Sequence, residues 1–463
     1  MTMKIKKWLA VALLLGSMAI ALKQESTYSV ALETDETWQP QAARSEGAVV
    51  EAEGFKVGRL TDGDTTTYSK ASEEAKVIVS REDGIGSLYI KFDRIPEQWN
   101  LTEESTGYVQ TCGQYGFLHE YVEVEGLPQS LTLTFPAGTV IADIYVFSQG
   151  QVPQWVQIWR PPCEQADLLL ISSHSDDEQL FFAGVLPYYA GELGYQVQVA
   201  YVVQHFQVGK SLNHVRPHEQ LDGLWTVGVR NYPVMSQLPD LYAQSKNRQE
   251  AFDQAVDVFA KSGYSYDDFV GYITECFRRF KPLVVVSHDL DGEYGHGTHV
   301  LCAAAITEAI EGAKDETFHT ESAEKWGCHA VEKVYLHLYE ENQIVMNYDE
   351  PLEAFGGKTA FEVTQDGFDC HKSQHWTWFY KWIYGTEEKP IKKATDIKKY
   401  SPCKYGLYYT SVGLDEVGGD FFEHVPTYTE RAEHLAQMRT LMQQKAHERL
   451  KKAIHAAGER VRG

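Results

Sequence analysis

The fold of this chain is decided by two stretches of sequence: Leu168-Leu169-Leu170-Ile171, closely followed by His174-Ser175-Asp176-Asp177-Glu178, and Leu283-Val284-Val285-Val286, followed by Tyr294-Gly295-His296-Gly297-Thr298-His299. Each apolar run is four residues long, rich in branched side chains and bounded by polar residues, which is typical of a buried parallel strand. In open α/β sheets, ligands bind in the crevice at the carboxyl ends of the strands. Because each polar cluster follows such a strand, the sequence predicts that the two clusters form one site.

Two imidazoles and a carboxylate gathered at such a point are typical of a catalytic zinc site, which has three protein ligands and an open position for water. His174 and Asp177 are three residues apart across the predicted turn from strand to helix, so both side chains can approach one ion. His296 and His299 are also three apart, at a predicted helix start, and lie on one face. The pattern predicts one divalent zinc ion in the site.

Around the two strands, apolar runs alternate with segments of helical periodicity. Residues 197–203 and 331–339 are further strand candidates, and residues 179–193, 248–260, 266–280 and 299–310 are helix candidates. Alternation of this kind predicts an α/β fold with a Rossmann-like, doubly wound and mostly parallel sheet.

The region before this domain has the texture of an all-β protein. Ser87–Phe92 and residues 131–135 and 144–147 are short strand candidates separated by turns, which predicts a β-sandwich. The tandem prolines Pro161-Pro162 mark its end. The predicted organisation is a signal peptide at 1–21, a linker at 22–50, the sandwich at 51–162, the α/β domain at 163–426 and a C-terminal helix at 427–463.

Two later segments are harder to interpret from sequence. Residues 405–409 and 420–424 are rich in aromatic side chains and are interpreted as a flap over the site. Residues 429–457 contain no Gly or Pro, which predicts a single helix. The favoured interpretation is a solvated helix packed on the body of the protein, with a partner-binding helix as the alternative.

Composition and charge exclude several classes of function. The chain has 463 residues, 43% of them hydrophobic, which fits packed globular domains and exceeds one ordinary domain. Its formal net charge is −23. Nucleic acids and anionic lipids demand a basic face, so neither is expected as a partner.

The N-terminus has the three parts of a secretory signal. A basic start at residues 4–7 precedes an apolar stretch from Trp8 to Ile20, and Ala19-Ile20-Ala21 fits a small-x-small cleavage site. The apolar stretch is shorter than the roughly 20 residues of a spanning helix, so cleavage is favoured over an uncleaved anchor. The chain is therefore expected to be secreted or held at the cell surface, with no integral span after signal removal.

The two motifs resemble those of the PIG-L/LmbE-type zinc de-N-acetylases, over roughly residues 165 to 425. That family has His-Pro-Asp-Asp-Glu after its first strand and His-Pro-Asp-His later; this chain has Ser175 in the first block and Gly297-Thr298 in the second. Arg216-Pro217-His218-Glu219 and Cys370-His371-Lys372-Ser373-Gln374 add to the resemblance. It implies removal of an acetyl group from an N-acetylated amino sugar by metal-activated water.

The resemblance also implies roles for individual residues. His174, Asp177 and His299 are the implied zinc ligands, and Asp176 is the implied general base. Tyr294 is expected to stabilise the oxyanion, and His296, which stays free of the metal, to protonate the amine. Arg216 and Glu219 are expected to hold substrate hydroxyls, with a structural salt bridge as the alternative. Asp291 is a further substrate-site candidate that either orients His296 or closes its acidic loop.

The all-β region is similar to discoidin-type, galactose-binding-like domains, through residues 60–68 and the closing residues 153–159. Such domains often bind sugars through exposed aromatic side chains, which makes cell-surface carbohydrate a candidate partner. The competing interpretation is that Trp99, Trp155 and Trp159 serve core or interdomain packing.

Together with the family resemblance, which implies the acetylated sugar, the sequence predicts an exported zinc-dependent N-deacetylase acting on a sugar or glycan of N-acetylglucosamine type. Two alternatives stay open at this point. One is a zinc amidase or esterase that acts on another acyl substrate; the other is a non-catalytic carbohydrate-binding protein at the cell surface. The presence of His174, Asp176, Asp177 and His299 argues against the second alternative.

Overall fold

The computed structural model describes residues 41–205 and 214–462. The predicted signal peptide and most of the predicted linker lie outside these ranges. Within the described ranges, every helix is too short or too polar to span a bilayer.

The first described region consists of two antiparallel sheets that face each other. The strands are β1 (Val49–Glu53), β2 (Ser69–Lys70), β3 (Ala75–Ser80), β4 (Ser87–Phe92), β5 (Trp99–Glu103), β6 (Tyr108–Cys112), β7 (His119–Glu123), β8 (Ser130–Phe135) and β9 (Val140–Phe147). One sheet has the order β1-β3-β8-β5-β6 and the other β2-β9-β4-β7. Side chains from both sheets, including Val77, Leu88 and Leu133, are fully buried in a common core. This core makes the N-terminal region a two-layer β structure.

The second region is built on one seven-stranded sheet. Its strands are β10 (Leu168–Ser172), β11 (Val197–Tyr201), β12 (Val234–Met235), β13 (Val284–Ser287), β14 (Lys333–His337), β15 (Gln343–Val345) and β16 (Lys404–Thr410), in the order β12-β11-β10-β13-β14-β16-β15. The first five strands in this order run parallel, and β16 and β15 add an antiparallel edge. The chain leaves β10 towards β11 and β12 and then returns to β13 on the other side. The topological switch point therefore lies between β10 and β13, where ligand sites of open α/β sheets form.

Helices cover both faces of this sheet. They are α1 (Asp177–Leu180), α2 (Val215–Thr226), α3 (Arg248–Lys261), α4 (Tyr266–Phe280), α5 (Gly297–Gly312), α6 (Thr320–Trp326), α7 (Ala360–Asp369), α8 (Trp378–Tyr384) and α9 (Tyr428–Arg462). Short 3₁₀ helices lie at Val57–Arg59, Glu293–Gly295, Glu353–Phe355, Lys372–Gln374 and Ala394–Asp396. Leu168 and Leu170 of β10 pack into the core on one face, and Leu169 and Ile171 pack into the core on the other. Burial on both faces explains the uninterrupted apolar run.

The continuous helix predicted for residues 179–193 is wrong. The chain forms only the short α1, then turns, and then a π-helix at Pro187–Glu192. Gly184 breaks the segment with a φ of 93°, and a Cβ at this position would lie 2.2 Å from the ring of Tyr348. Glycine is required here by both the backbone conformation and the approach of the tyrosine.

The predicted aromatic flap is also wrong. Tyr405 and its neighbours form β16, which pairs with β14 and β15 inside the sheet. Phe421 is fully buried and stacks on Tyr189, with ring centroids 5.3 Å apart. Both segments are aromatic because they belong to the core.

The C-terminal helix α9 has a short anchor and a long exposed part. Arg431 makes a bidentate ion pair with Glu332 (2.7 and 2.8 Å), and the Tyr428 N–H donates to Asp167. Residues 432–449 are exposed along their whole length. The expectation that this helix packs on the body therefore holds only for its first turn.

The β region packs firmly on the α/β domain through buried polar side chains. Nε2 of His119 lies 2.7 Å from Nδ1 of His218, and both rings are buried. The Tyr232 hydroxyl oxygen accepts the backbone N–H of Leu118 at 3.0 Å. Trp159, only 7% exposed, packs against Tyr232 with ring centroids 5.6 Å apart. These contacts favour the packing interpretation for Trp159.

Arg278 offers a test of how the α/β domain is held together. The guanidinium is fully buried and donates to the backbone carbonyls of five residues and to one hydroxyl: Gly312, Ala313, Asp315, Phe318, His319 and Ser322. Arg278→Met is expected to lower the free energy of unfolding by about 3 kcal/mol or more, because several buried acceptors lose their donors. Urea denaturation followed by circular dichroism measures this change.

The neighbouring Arg279→Met is the matched control. Its guanidinium lies over the rings of Phe280 and Trp326 at the partly exposed surface, so the expected loss is about 1 kcal/mol or less. Equal losses in the two variants would contradict the role assigned to Arg278.

Candidate metal centre and active site

The first half of the site is a tight turn at the end of β10. Oδ2 of Asp177 accepts the backbone N–H of His174 at 2.9 Å and lies 3.0 Å from Nδ1 of the His174 ring. Between them, Asp176 has a left-handed backbone with φ 115°, and its N–H donates to Glu178 at 2.9 Å. A positive φ is uncommon outside glycine, and strain of this kind concentrates at functional sites. The turn holds the His174 and Asp177 side chains together.

The second half comes from the start of α5, across the switch point. Nε2 of His299 lies 3.2 Å from Nδ1 of His174 and 3.3 Å from Oδ2 of Asp177. A tetrahedral zinc ion with bonds of about 2.0 to 2.2 Å separates its ligand atoms by about 3.3 Å. Two ring nitrogens and one carboxylate oxygen at mutual distances of 3.0–3.3 Å fit such an ion.

Two further carboxylates hold the histidine rings. Oδ1 of Asp240 lies 3.3 Å from Nε2 of His174, and Oε2 of Glu293 lies 2.7 Å from Nδ1 of His299. When each ring donates its N–H to its carboxylate, the lone pair of the other nitrogen faces the shared point beside Asp177. Carboxylates behind metal-ligating histidines act in this way in metalloproteins.

His288 lies close to the same atoms, but its nitrogens are already used. Its Nε2 accepts the N–H of Ser173 at 2.9 Å, and its Nδ1 therefore donates to Glu293 at 2.7 Å. The ring is fully buried and stacks on His299, with centroids 4.1 Å apart. His288 is thus a support for His299, and its lone pair is not directed at the shared point.

Asp176 is buried beside Arg216, whose Nη1 lies 3.7 Å from the Asp176 carboxylate. Burial raises the pKa of Asp176 to about 6, although Arg216 acts in the opposite direction. Arg216 also donates from Nη2 to the carbonyl of Ser175. Within the described residues, its Nε and Nη1 have no hydrogen-bond partner. A carboxyl group with a pKa near neutrality suits proton transfer.

Tyr294 and His296 lie on the open side of the cluster. The His296 ring is 4.8 Å from the rings of both His174 and His299, and its Nδ1 has no partner among the described residues. Burial lowers the pKa of His296 well below its usual value, and burial raises that of Tyr294 well above. The Tyr294 ring lies 5.4 Å from that of His296. Both are therefore neutral groups next to the predicted ligands.

Two of the predicted substrate-binding residues, Glu219 and Asp291, make their contacts away from the histidine cluster. Both carboxylate oxygens of Glu219 accept hydrogen bonds from Ser373, one from its backbone N–H at 2.7 Å. Glu219 thus ties α2 to the 3₁₀ turn at Lys372–Gln374, which is the structural alternative. Asp291 is exposed in its loop, and none of its contacts among the described residues reaches the histidine cluster.

Four residues of the site were not predicted from the sequence: Asp240, Glu293, His288 and His337. Glu293 stands directly before the second motif, so an acidic residue next to the histidines was an available signal. Asp240 lies shortly after β12, far along the chain from either motif, and only the fold brings it to His174. His337 ends a strand whose apolar pattern gave no indication of a polar contact.

Comparison with known proteins agrees with the two motifs. Residues 169–310 match the family model described as PIG-L: GlcNAc-PI de-N-acetylase. This segment is a PIG-L family domain. The predicted family resemblance is thereby confirmed for residues 169–310, and the predicted α/β fold with it. The family consists of de-N-acetylases, which are hydrolases that act on amides.

Individual relatives are more distant. The chain is 29% identical over 182 residues to 1D-myo-inositol 2-acetamido-2-deoxy-alpha-D-glucopyranoside deacetylase 2 of Saccharopolyspora erythraea, covering 36% of this chain and 63% of the relative. It is 26% identical to the corresponding deacetylase of Streptomyces avermitilis, covering 36% and 60%. Among solved structures, N,N'-diacetylchitobiose deacetylase from Pyrococcus horikoshii is similar with 15% identity and a TM-score of 0.34, covering 47% and 73%. The chain spans about three fifths of the length of these two curated relatives.

Proposed function

We propose that this protein is a zinc-dependent hydrolase that removes the acetyl group from an N-acetylated amino sugar. The observation that carries the proposal is the convergence of His174 Nδ1, Asp177 Oδ2 and His299 Nε2 within 3.0–3.3 Å of one another, beside the buried Asp176. The match of residues 169–310 to a de-N-acetylase family supports the reaction class.

The three atoms named above would hold one divalent ion, and imidazole with carboxylate is a donor set that suits zinc. When bound, zinc polarises an acyl oxygen and makes water acidic enough to supply a nucleophile near neutral pH. Asp240 and Glu293 keep the two histidine lone pairs directed at the ion, so the site needs little rearrangement on binding.

Residues other than the three metal ligands would carry out proton transfer. Asp176 sits beside Asp177 in the same turn and, with a pKa near neutrality, can accept a proton from the attacking water. His296 lies next to both ligand histidines. It is neutral at rest, so it would first take up the proton that Asp176 receives from water and then pass it to the departing amine. The Tyr294 hydroxyl remains protonated at neutral pH, so it can donate a hydrogen bond to the developing oxyanion. Arg216 holds the turn through Ser175, and its Nε and Nη1 groups, which have no partner among the described residues, can donate to substrate hydroxyls.

Exposed aromatic rings next to the cluster support a sugar as the substrate. Tyr242 is 63% exposed, and its ring lies 5.4 Å from His296. Trp378 is 49% exposed, and its ring lies 5.8 Å from Tyr294. A pyranose presents an apolar C–H face that packs on aromatic rings. The curated relatives named above carry an acetamido-deoxy-glucopyranoside in their names, which is a sugar of this class.

Trp378→Ala is therefore expected to raise the KM for an N-acetylated oligosaccharide about 3- to 10-fold, the range that corresponds to one aromatic contact, with little change in kcat. Steady-state kinetics measure the two constants separately. Trp376→Ala is the matched control, since Trp376 is 81% exposed and none of its ring contacts among the described residues reaches the site. Equal effects of the two substitutions on KM would contradict the stacking role.

The experiment that tests the proposed function is a screen of N-acetylated amino sugars for release of acetate and of free amine. It is run on zinc-loaded protein, on protein treated with a chelator and on protein to which zinc has been returned. Release that disappears with the chelator and returns with zinc is the expected result. Turnover of simple acyl esters or other amides without turnover of N-acetyl sugars would assign the site to another zinc hydrolase. Failure to release acetate from any of them would contradict catalysis.

We further infer, from residues 1–21, that the protein acts outside the cytoplasm on surface or secreted glycan. N-terminal sequencing of the protein from an exporting host tests this inference. A mature chain that begins at Leu22 is the expected result, and a chain that keeps residues 1–21 would contradict cleavage.

A further inference from the structure

Glu293 connects three histidine rings in the interior of the α/β domain. It is fully buried, and three histidine rings converge on its carboxylate: Nδ1 of His288 and Nδ1 of His299 lie 2.7 Å from Oε2, and Nδ1 of His337 lies 2.6 Å from Oε1. The backbone N–H of Asp289 also donates to Oε1, at 3.2 Å. The three histidines come from the end of β13, the first turn of α5 and the end of β14, so one carboxylate joins three elements.

The remaining ring nitrogens determine where the protons lie. His288 accepts the Ser173 N–H at its Nε2, so its Nδ1 carries a proton and donates to Glu293. His337 Nε2 lies 2.9 Å from the carbonyl oxygen of Ser401, which can only accept, so this nitrogen carries a proton. Nδ1 of His337 faces Oε1 of Glu293 at 2.6 Å.

These contacts allow the His299 ring only one tautomer and one orientation. Its Nδ1 must donate to Glu293, which leaves the lone pair of Nε2 directed at Nδ1 of His174 and Oδ2 of Asp177. Stacking on His288 fixes the plane of the His299 ring. Neither the tautomer nor the orientation of His299 can change without breaking a contact to Glu293 or His288.

We propose that Glu293 is a positioning residue that fixes the ring of His299 for metal binding, and that its negative charge strengthens this ring as a metal donor. The proposal rests on the proposed function, because it assigns Glu293 to the same metal centre. It goes beyond that function because it attributes part of the zinc affinity to a carboxylate that binds neither the metal nor the substrate. Outer partners of metal-ligating histidines typically contribute about 10- to 100-fold in metal affinity.

Glu293→Gln removes the negative charge that strengthens the His299 ring as a metal donor, and it leaves the size of the side chain unchanged. The amide oxygen can still accept from His288 and His299, and the amide NH₂ then faces Nδ1 of His337. The fold is therefore expected to survive, because only the Asp289 N–H, at 3.2 Å, loses its acceptor. Asp289→Asn is the matched control, because it removes a carboxylate from the same loop without removing a contact to His299.

Zinc affinity is measured by competition with a chromophoric chelator, and the melting temperature of the zinc-free protein reports on folding. Glu293→Gln is expected to bind zinc about 10- to 100-fold more weakly than wild type, while Asp289→Asn changes the affinity less than about 3-fold. A melting temperature close to that of wild type excludes a purely structural effect. Wild-type zinc affinity in Glu293→Gln would overturn the proposal, whereas a wild-type protein that binds no zinc would overturn the proposed function itself.

A second measurement does not depend on the folding of a variant. The ¹⁵N shifts of the His288 ring in zinc-free wild-type protein are expected to show a proton on Nδ1 and none on Nε2. A proton on Nε2 of His288 would overturn the arrangement of rings around Glu293.

Discussion

Asp177→Ala protein is expected to lose its zinc almost completely. Oδ2 of Asp177 is the one anionic donor of the three, and it lies within 3.3 Å of both histidine nitrogens. It also accepts the N–H of His174, so its removal loosens the turn that presents that ring. The loss of zinc affinity should exceed the roughly 10- to 100-fold loss that follows removal of a residue bonded to a ligand but not to the metal. Metal analysis after exhaustive dialysis measures the bound zinc.

Asp291→Asn is the control for this experiment, because it removes one negative charge from an exposed position in the neighbouring acidic loop. It should keep wild-type zinc content. If Asp177→Ala bound as much zinc as wild type, the ligand set of His174, Asp177 and His299 would be wrong. The next arrangement to test would include His296, whose ring lies near His174 and His299.

Asp176→Asn is expected to keep the metal and to lower kcat by about 10²-fold or more, the usual scale for removal of a general base. Asparagine tolerates the positive φ at this position better than most residues, so the turn should stay intact. Zinc content and steady-state kinetics on the same preparation separate the two properties. Loss of zinc together with activity would show that Asp176 acts on the turn instead of on the substrate.

Glu178→Gln provides the comparison, since Glu178 is buried nearby and accepts the N–H of Asp176. Its expected effect on kcat is smaller than that of Asp176→Asn. If Asp176→Asn retained most of the wild-type turnover, another residue would be the general base, and Glu178 would be the first candidate.

Local sequence was sufficient for the features that depend on neighbouring residues. The four-residue apolar runs gave β10 and β13, because a strand buried on both faces needs apolar side chains at every position. Residues 266–280 were predicted as a helix from apolar residues at three- and four-residue steps, and the observed bounds of α4, Tyr266–Phe280, agree; Ser265 and Asp268 form a capping box at its start. The expectation that both motifs form one site followed from their places at strand ends, whereas the choice of His299 over His296 as a ligand came from the family resemblance.

Only the tertiary structure decided the features that depend on contacts between distant segments. Gly184 ends a helix that residues 179–193 favour by periodicity, because the ring of Tyr348 occupies the space where a side chain would lie. Aromatic residues around Tyr405 resembled a flap because a strand in the middle of a sheet and a lid have similar composition. Asp240, His288 and His337 reach the site from separate loops and strands, and no spacing along the chain encodes their convergence on His174 and Glu293. The sequence by itself predicted which residues can bind a metal, whereas the fold decided which carboxylates contact their rings, since hydrogen bonds between distant segments exist only after the sheet has formed.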